Sequence, residues 1–256
     1  MIANYHTHTW RCNHARGTEV EYVENAIRNG IKILGFSDHT PYLFPGEYYS
    51  GFRMAPSQMA GYVRTINGLR EEYQDRIKIY LGLETEYYPD LFPKYMEFVR
   101  EYPVEYMILG QHYLGNETDD AYSGEKTEDE GRLARYCHQC MEAMNTGLFT
   151  YFAHPDLIHF TGDKKVYKEH MRELCREANS CHMPIELNLL GMEERRHYPN
   201  PRFWEVAAEE NCLVVLGRDA HDPKAFDRVK QEKKALKIVK KLGLDLVDTV
   251  ELCPVR

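Results

Sequence analysis

The sequence of 256 residues lacks long apolar runs, since no stretch approaches the roughly eighteen consecutive apolar residues that indicate a membrane-spanning helix. It enters a strand-like pattern at Ile2 without the basic region and apolar segment of a secretion signal. We therefore expect a cytoplasmic protein with no membrane partner. Positive charge is also in the minority, because 32 Lys and Arg face 40 Asp and Glu, for a net charge of −8. This balance argues against a large nucleic-acid-binding surface.

Cysteine motifs and nucleotide-binding turns are missing as well. Seven cysteines, an odd number without a secretion signal, are typical of reduced thiols. Cys137 and Cys140 have the C-x-x-C spacing, but they lie in a helical pattern without a second such pair, so we interpret them as ordinary helix residues. No Gly-x-Gly-x-x-Gly turn or P-loop follows a strand, which leaves a nucleotide-binding open sheet unsupported.

Strand and helix patterns alternate along the chain. A hydrophobic content of 43% with 28% charged residues is ordinary for one globular α/β domain, here residues 1–256. Capping boxes at Thr18 and Thr127 predict helix starts, and the polar stretch 191–198 predicts a loop. After a first strand at the N-terminus, strands are predicted at 31–36, 78–83, 106–109, 149–153, 184–188 and 213–217. Short apolar strands separated by helical segments favour a closed parallel barrel.

Histidines and carboxylates follow the predicted strands at their C-terminal ends, where such barrels carry their active sites. His6 and His8 lie on one face of the first strand, because strand side chains alternate. Seven neutral imidazoles and two carboxylates in one barrel mouth are costly without cations and are good ligands with them. At about three protein ligands per catalytic zinc, nine ligands predict two or three ions. The set is His6, His8, His14, His39, Glu84, His112, His154, Asp219 and His221.

Such multinuclear sites activate water and clamp the attacking and leaving oxygens of a phosphoryl displacement, so phosphoester hydrolysis is the leading chemistry. The residues that carry this site also carry a resemblance. The segments His6-Thr-His8, Cys12-Asn-His14-Ala-Arg-Gly17, Gly35-Phe-Ser-Asp-His39, Gly82-Leu-Glu84, Ala153-His-Pro-Asp156 and Asp219-Ala-His221, together with His112, resemble the polymerase-and-histidinol-phosphatase (PHP) superfamily. The C-x-H-A-x-G and G-F-S-D-H forms resemble its histidinol-phosphatase branch.

The resemblance implies a distorted (β/α)7 barrel, similar to a TIM barrel, with zinc, manganese or iron at the C-terminal ends of its strands. It implies one metal on His6, His8, Glu84 and Asp219, a second on Glu84, His112 and His154, and a third on His14, His39 and His221. Glu86 faces the same way as Glu84 and stays open as the bridging ligand. Asp38 precedes a ligand and is expected to orient an imidazole near the catalytic groups.

Guanidinium groups match phosphate oxygens, so Arg195, Arg196 and Arg218 are the candidate phosphate-binding residues, with His197 beside them. Arg218 departs from the small residue that the family pattern has before its Asp-x-His motif. The alcohol that leaves takes its proton from Asp219 or from a water molecule, and the sequence does not choose between them. Glu86, Glu186, Tyr87, Tyr88 and the loop 41–52 are candidate contacts to the rest of the substrate.

The resemblance implies histidinol-phosphate phosphatase activity, which hydrolyses L-histidinol phosphate in histidine biosynthesis. Two other enzyme readings remain: hydrolysis of another small phosphomonoester, and a phosphodiesterase or nuclease of the same superfamily. A third reading, of another class, is a metal-binding scaffold without activity. Metal content and activity on histidinol phosphate separate these readings, and the oligomeric state stays open.

Overall fold

Two parallel sheets form the centre of the computed structural model, which describes residues 1–118 and 122–255. The first sheet has the order β1 (Ala3–Asn4), β2 (Ile33–His39), β3 (Lys78–Thr85) and β4 (Tyr106–Leu109). The second has the order β5 (Ile185–Asn188), β6 (Leu213–Gly217) and β7 (Asp245–Leu246). All strand pairs are parallel, so the predicted mixed α/β class is confirmed.

Isolated bridges connect the two sheets at both edges, and the parallel sheets therefore curl around a common interior. The predicted strand 149–153 forms only isolated bridges, through Phe152 to Leu109 and Ile185. At the other edge Thr7 bridges Ala220, with flanking backbone hydrogen bonds of 3.0 and 3.1 Å.

Helices cover the outside of the sheets. They are α1 (Glu19–Arg28), α2 (Met59–Glu72), α3 (Phe92–Val99), α4 (Glu130–Asn145), α5 (Lys164–Ser180), α6 (Leu189–Glu194), α7 (Pro201–Glu209) and α8 (Val229–Leu242). Among the described residues, none of these helices combines the length and the apolar character that crossing a bilayer requires. Cys137 and Cys140 are buried residues of α4, as expected, and both are free thiols.

Two local predictions were wrong. The α4 helix is capped by Asp129, whose carboxylate accepts from the Gly131 amide, because Thr127 instead pairs its backbone with the segment at His159. The predicted loop 191–198 begins inside helix α6, because the Asn188 side chain caps that helix by accepting from the Gly191 amide at 2.9 Å.

Tyrosines and small apolar residues fill the interior beneath the strand ends. The Tyr106 hydroxyl donates to the backbone oxygens of Tyr5 (2.7 Å) and Phe36 (3.2 Å). Its ring occupies space that glycines leave free, since a Cβ at Gly35 or Gly82 would lie 2.1 or 2.3 Å from it. This packed floor lies below the C-terminal ends of the strands, where the polar side chains collect.

Candidate metal centre

The ends of neighbouring strands bring the predicted ligands together. His39 is the last residue of β2 and lies in register with Glu84, the next-to-last residue of β3. His112 follows β4, His154 follows the bridge residue Phe152, and Asp219 follows β6. The sheet geometry therefore directs side chains that are distant in sequence into one cluster.

Glu84 lies at the middle of this cluster and is almost fully buried. Its carboxylate oxygens lie within 3.6 Å of imidazole nitrogens of five histidines: His6, His8, His39, His112 and His154. The shortest of these distances, 2.8 Å, joins Oε1 to His154 Nε2. One carboxylate thus faces both halves of the cluster, which is the position that a bridging ligand needs.

Asp219 forms the second acidic centre. Its Oδ1 lies 3.2 Å from His8 Nε2, 3.5 Å from His6 Nε2 and 3.1 Å from His221 Nδ1. The Asn188 amide donates to the other oxygen, Oδ2, at 3.1 Å. Asn188 therefore fixes the carboxylate with Oδ1 toward the imidazoles.

His14 completes the outer side of the cluster from the short 3-10 segment after β1. Its ring lies 4.6 Å from that of His221 and 5.3 Å from that of His39. One nitrogen from each of these three histidines lies within 4.8 Å of the others. His14 Nδ1 contacts the Cys12 carbonyl at 2.8 Å, which fixes the ring so that Nε2 is the free ligand atom.

A second layer of carboxylates holds the imidazoles from behind. Glu186 Oε1 contacts His6 Nδ1 at 2.8 Å, and its Oε2 accepts from the His154 amide at 3.0 Å. Glu86 Oε1 contacts His112 Nδ1 at 2.8 Å. Such partners set the tautomer of a metal-binding histidine and leave its other nitrogen for the ion.

These contacts change the roles expected for three carboxylates. Glu86 and Glu186 are engaged by histidines of the cluster and are buried, so they do not fit the expected substrate contacts. Because Glu86 lies behind His112, the geometry favours Glu84 as the bridging ligand. Asp38 behaves as expected: its Oδ1 lies 3.5 Å from His8 Nδ1, and Thr9 donates to its Oδ2.

Several polar atoms at the centre of the cluster have no hydrogen-bond partner in the described part of the chain. They are His6 Nε2, His8 Nδ1 and Nε2, His39 Nδ1, Glu84 Oε2, His154 Nδ1, Asp219 Oδ1 and His221 Nε2. Buried polar atoms without partners are costly, and a cation that binds nitrogen and oxygen removes this cost. The donor set, imidazoles with carboxylates, is the one that zinc and related transition ions prefer. The residues present therefore fit divalent metal ions.

The charge states suit the same purpose. Burial alone would raise the pKa of Glu84, but the imidazoles of His112, His39 and His6 hold the pKa well below its usual value. The pKa of Asp219 is lowered in the same way, against burial, chiefly by His6 and His221. Burial, with the neighbouring His221 and His8, lowers the pKa of His14 to about 4. Ionised carboxylates and a neutral imidazole are the forms that bind metal.

A cavity of about 390 Å³ opens above the cluster. Seven of the nine candidate ligands line it: His14, His39, Glu84, His112, His154, Asp219 and His221. The remaining lining residues are Phe52, Tyr113, Tyr122, Leu190, Glu194, Arg196 and Tyr198. Metal-binding and substrate-sized space therefore coincide.

Of the four residues expected to bind phosphate, only Arg196 lines this cavity. Its Nη1 donates to the Tyr198 hydroxyl at 2.7 Å, and its Nε donates to Glu194 at 2.7 Å. Arg195 is exposed and ends helix α6 with a left-handed backbone.

Arg218 and His197 make other contacts. The buried Arg218 guanidinium pairs with Glu232 and donates to the carbonyls of Ala225 and Arg228 at 3.3 and 3.2 Å. His197 Nε2 contacts the Leu157 carbonyl at 2.7 Å. The structure thus separates Arg196 from the other three candidates, a distinction that depends on how α6 and α8 pack and not on residue type.

Sequence reasoning missed several residues of the site. Glu194, Tyr122 and Tyr198 line the cavity, although their positions carry no spacing signal. Phe52 is the last residue of the loop 41–52, whose length alone suggested work near a site. Arg53, the residue after that loop, is buried beside the cluster and was not singled out.

Comparison with known proteins agrees with this geometry, because residues 4–189 match the PHP domain. The chain belongs to the PHP family. The matched region of this PHP chain contains seven of the nine candidate ligands, and Asp219 and His221 lie beyond it.

Relatives of the PHP chain cover most of its length. It is 30% identical over 232 residues to a probable histidinol-phosphatase from Deinococcus radiodurans, covering 87% of each chain. It is 25% identical to a histidinol-phosphatase from Lactococcus lactis, covering 85% of this chain and 83% of that protein.

A solved structure of histidinol phosphate phosphatase from Lactococcus lactis, complexed with zinc, L-histidinol and phosphate, has a TM-score of 0.74 at 22% identity. That match covers 97% of this chain and 96% of the other, so the two proteins share one fold.

Proposed function

We propose that this PHP-family protein is a metal-dependent phosphomonoesterase that converts L-histidinol phosphate and water to L-histidinol and phosphate, a step of histidine biosynthesis. The observation that carries the proposal is the convergence of the candidate ligands and Arg196 on one cavity. Relatives from Deinococcus radiodurans and Lactococcus lactis, both with histidinol-phosphatase names and both matched over more than four fifths of this chain, support the substrate.

We propose two or three divalent metal ions in the cluster, either zinc or the alternatives manganese and iron. The zinc in the similar Lactococcus lactis structure supports the first choice. The ligand sets are those implied by the family resemblance: His6, His8, Glu84 and Asp219; Glu84, His112 and His154; and His14, His39 and His221. Grouped ligand atoms within 4.8 Å of one another support the sets His6–His8–Asp219 and His14–His39–His221.

When bound, such ions supply an activated water and positive charge for the phosphoryl oxygens. The chain adds a guanidinium from the cavity wall. Tyr198 and Glu194 orient Arg196, and a guanidinium has five N–H donors, which exceeds the demand of these two partners. We propose that Arg196 binds the phosphoryl group of the substrate.

The carboxylates have distinct tasks in this scheme. Because imidazoles hold the pKa of Asp219 low, its Oδ1 carries a negative charge and accepts a proton more readily than it donates one. Glu84 holds both halves of the cluster, and Asp38 orients the His8 ring.

The organic part of L-histidinol phosphate carries an ammonium group and an imidazole, and the cavity offers a partner for each. The Glu194 carboxylate is the acidic wall group outside the ligand cluster. The rings of Phe52, Tyr113 and Tyr122 present aromatic faces of the kind that attract cations and stack on planar rings. We propose that these residues select the substrate.

Phosphate release from a panel of phosphomonoesters tests the proposal, with the protein loaded with zinc or manganese. We expect kcat/KM for L-histidinol phosphate to exceed that for sugar phosphates by at least about tenfold, because the cavity pairs polar groups that other esters leave unpaired. Equal values would contradict the substrate and leave a general phosphomonoesterase. Cleavage of labelled single-stranded DNA would favour a nuclease instead. Absence of bound metal in the purified protein would favour the inactive scaffold.

We also propose that residues 1–256 form a single domain with a distorted (β/α)7 barrel. Bridges at both edges of the two sheets support this architecture. A cytoplasmic location without a nucleic-acid partner is proposed from the net charge of −8 and from seven cysteines that are all free thiols.

A further inference from the structure

Arg53 lies at the end of the loop that follows β2 and is 2% exposed. Its Nε and Nη2 donate to Glu117 Oε2 at 2.8 and 2.6 Å. Its Nη1 and Nη2 donate to the two oxygens of Glu86 at 3.0 and 3.2 Å, and Nη1 also donates to the Thr40 carbonyl at 3.0 Å. These contacts use all five N–H donors of a guanidinium, so Arg53 has none left for a substrate phosphate.

The contact to Glu86 leads directly to the metal cluster. Glu86 Oε1 accepts from Arg53 and also contacts His112 Nδ1 at 2.8 Å. A carboxylate at Nδ1 keeps the proton on that nitrogen and leaves Nε2, 3.6 Å from Glu84 Oε1, as the ligand atom. The bidentate pair with Arg53 fixes the plane of the Glu86 carboxylate.

Two further contacts reach neighbours of other candidate ligands. Thr40, whose carbonyl accepts from the Arg53 guanidinium, directly follows His39. The Arg53 carbonyl accepts from the Asn13 side chain at 3.1 Å, and Asn13 directly precedes His14. Arg53 therefore connects to segments that carry ligands from three parts of the chain.

The preceding residue, Phe52, places this network against the cavity. The Arg53 guanidinium lies 4.3 Å from the Phe52 ring centroid, and that ring lines the cavity. Phe52 also packs against the rings of His39 at 5.2 Å and His112 at 6.0 Å. A change at Arg53 therefore frees both the loop and two imidazoles.

We propose that Arg53 is a positioning residue of the metal centre: it fixes His112 through Glu86 and holds Phe52 against the imidazoles by closing the loop. The inference rests on the proposed metal site and adds a residue to it that binds neither metal nor substrate. Glu117 takes part by neutralising the buried guanidinium together with Glu86.

The test measures how fast zinc-loaded protein transfers its metal to a chromogenic chelator, together with kcat and KM for L-histidinol phosphate. Arg53→Met removes the network, and Arg53→Lys keeps the charge but loses the planar fork. We expect transfer at least about tenfold faster for Arg53→Met and an intermediate rate for Arg53→Lys, with kcat falling more than KM changes. Arg70→Met is the matched control, because Arg70 also donates to a carboxylate and a carbonyl but lies on α2 outside the cluster.

If Arg53→Met does not fold, Glu117→Gln replaces it, with transfer at least about threefold faster expected from the loss of one carboxylate. Zinc transfer at the wild-type rate in the folded variant, or equal acceleration in Arg70→Met, would overturn the inference. Acceleration in a protein that never releases phosphate from L-histidinol phosphate would sustain it while refuting the proposed substrate. A wild-type protein that binds no zinc would overturn both.

Discussion

A single methyl group at Gly217 should disturb the metal centre without touching any candidate ligand. A Cβ at this position would lie 1.4 Å from Glu186 Oε1 and 2.3 Å from its Cδ. Ordinary carbon contacts need more than 3 Å, so the carboxylate must move by roughly 2 Å. That movement breaks the 2.8 Å contact to His6 Nδ1 and the 3.0 Å hydrogen bond from the His154 amide.

The cost of Gly217→Ala follows from these contacts. Hydrogen bonds to charged groups contribute about 1.5–3 kcal/mol each, and overpacking a filled interior costs about 1–3 kcal/mol. We therefore expect the free energy of unfolding to fall by about 2–5 kcal/mol. Because the partner of His6 is displaced, metal affinity should fall by about 10- to 100-fold.

Denaturant unfolding with and without zinc, together with competition for zinc by a chelator, measures both effects. Gly68→Ala is the control, since no heavy atom lies within 4 Å of its added Cβ on the exposed side of α2, and alanine should raise stability there by about 0.5–1 kcal/mol. A Gly217→Ala protein with wild-type zinc affinity would refute the role given to Glu186.

Two other predictions concern the phosphate and the metal ions. Arg196→Met should lower kcat/KM for L-histidinol phosphate by at least about tenfold, because a charge-assisted contact to the phosphoryl group is lost, whereas the exposed Arg195→Met should change it by less than about twofold; equal losses in steady-state assays would contradict the assignment. Chelator-stripped protein should lose activity and melt at a lower temperature, and zinc at about 100 times its Kd should restore about 2.7 kcal/mol per site. Melting curves of stripped protein that do not respond to zinc would argue against ions in the cluster.

The sequence carried the alternation of strands and helices because buried parallel strands leave continuous apolar runs with polar residues at their ends. His39, Glu84 and His154 could be placed in this way, because each follows an apolar strand segment. The strand 149–153 was harder to predict, because its apolar pattern does not reveal that only Phe152 pairs with its neighbours.

The roles of the charged residues around the ligands depend on depth, which one sequence does not show. Strand alternation puts Glu84 and Glu86 on the same face, yet only the three-dimensional packing shows that Glu86 lies behind His112. Arg196 and Arg218 look alike as phosphate candidates, and only the packing of α8 shows that Glu232 engages Arg218. Arg53 has no spacing signal, because its partners come from four separate segments.

The tyrosine floor beneath the cluster also bears on traffic through the enzyme. Tyr5, Tyr106 and Tyr151 are buried below the ligands, and in the described part of the chain they fill the interior on that side. Substrate and both products therefore share the one doorway beside Phe52 and Arg196. An enzyme with a single doorway is obstructed by whichever product stays longer, so inorganic phosphate held at Arg196 would compete with the next substrate molecule.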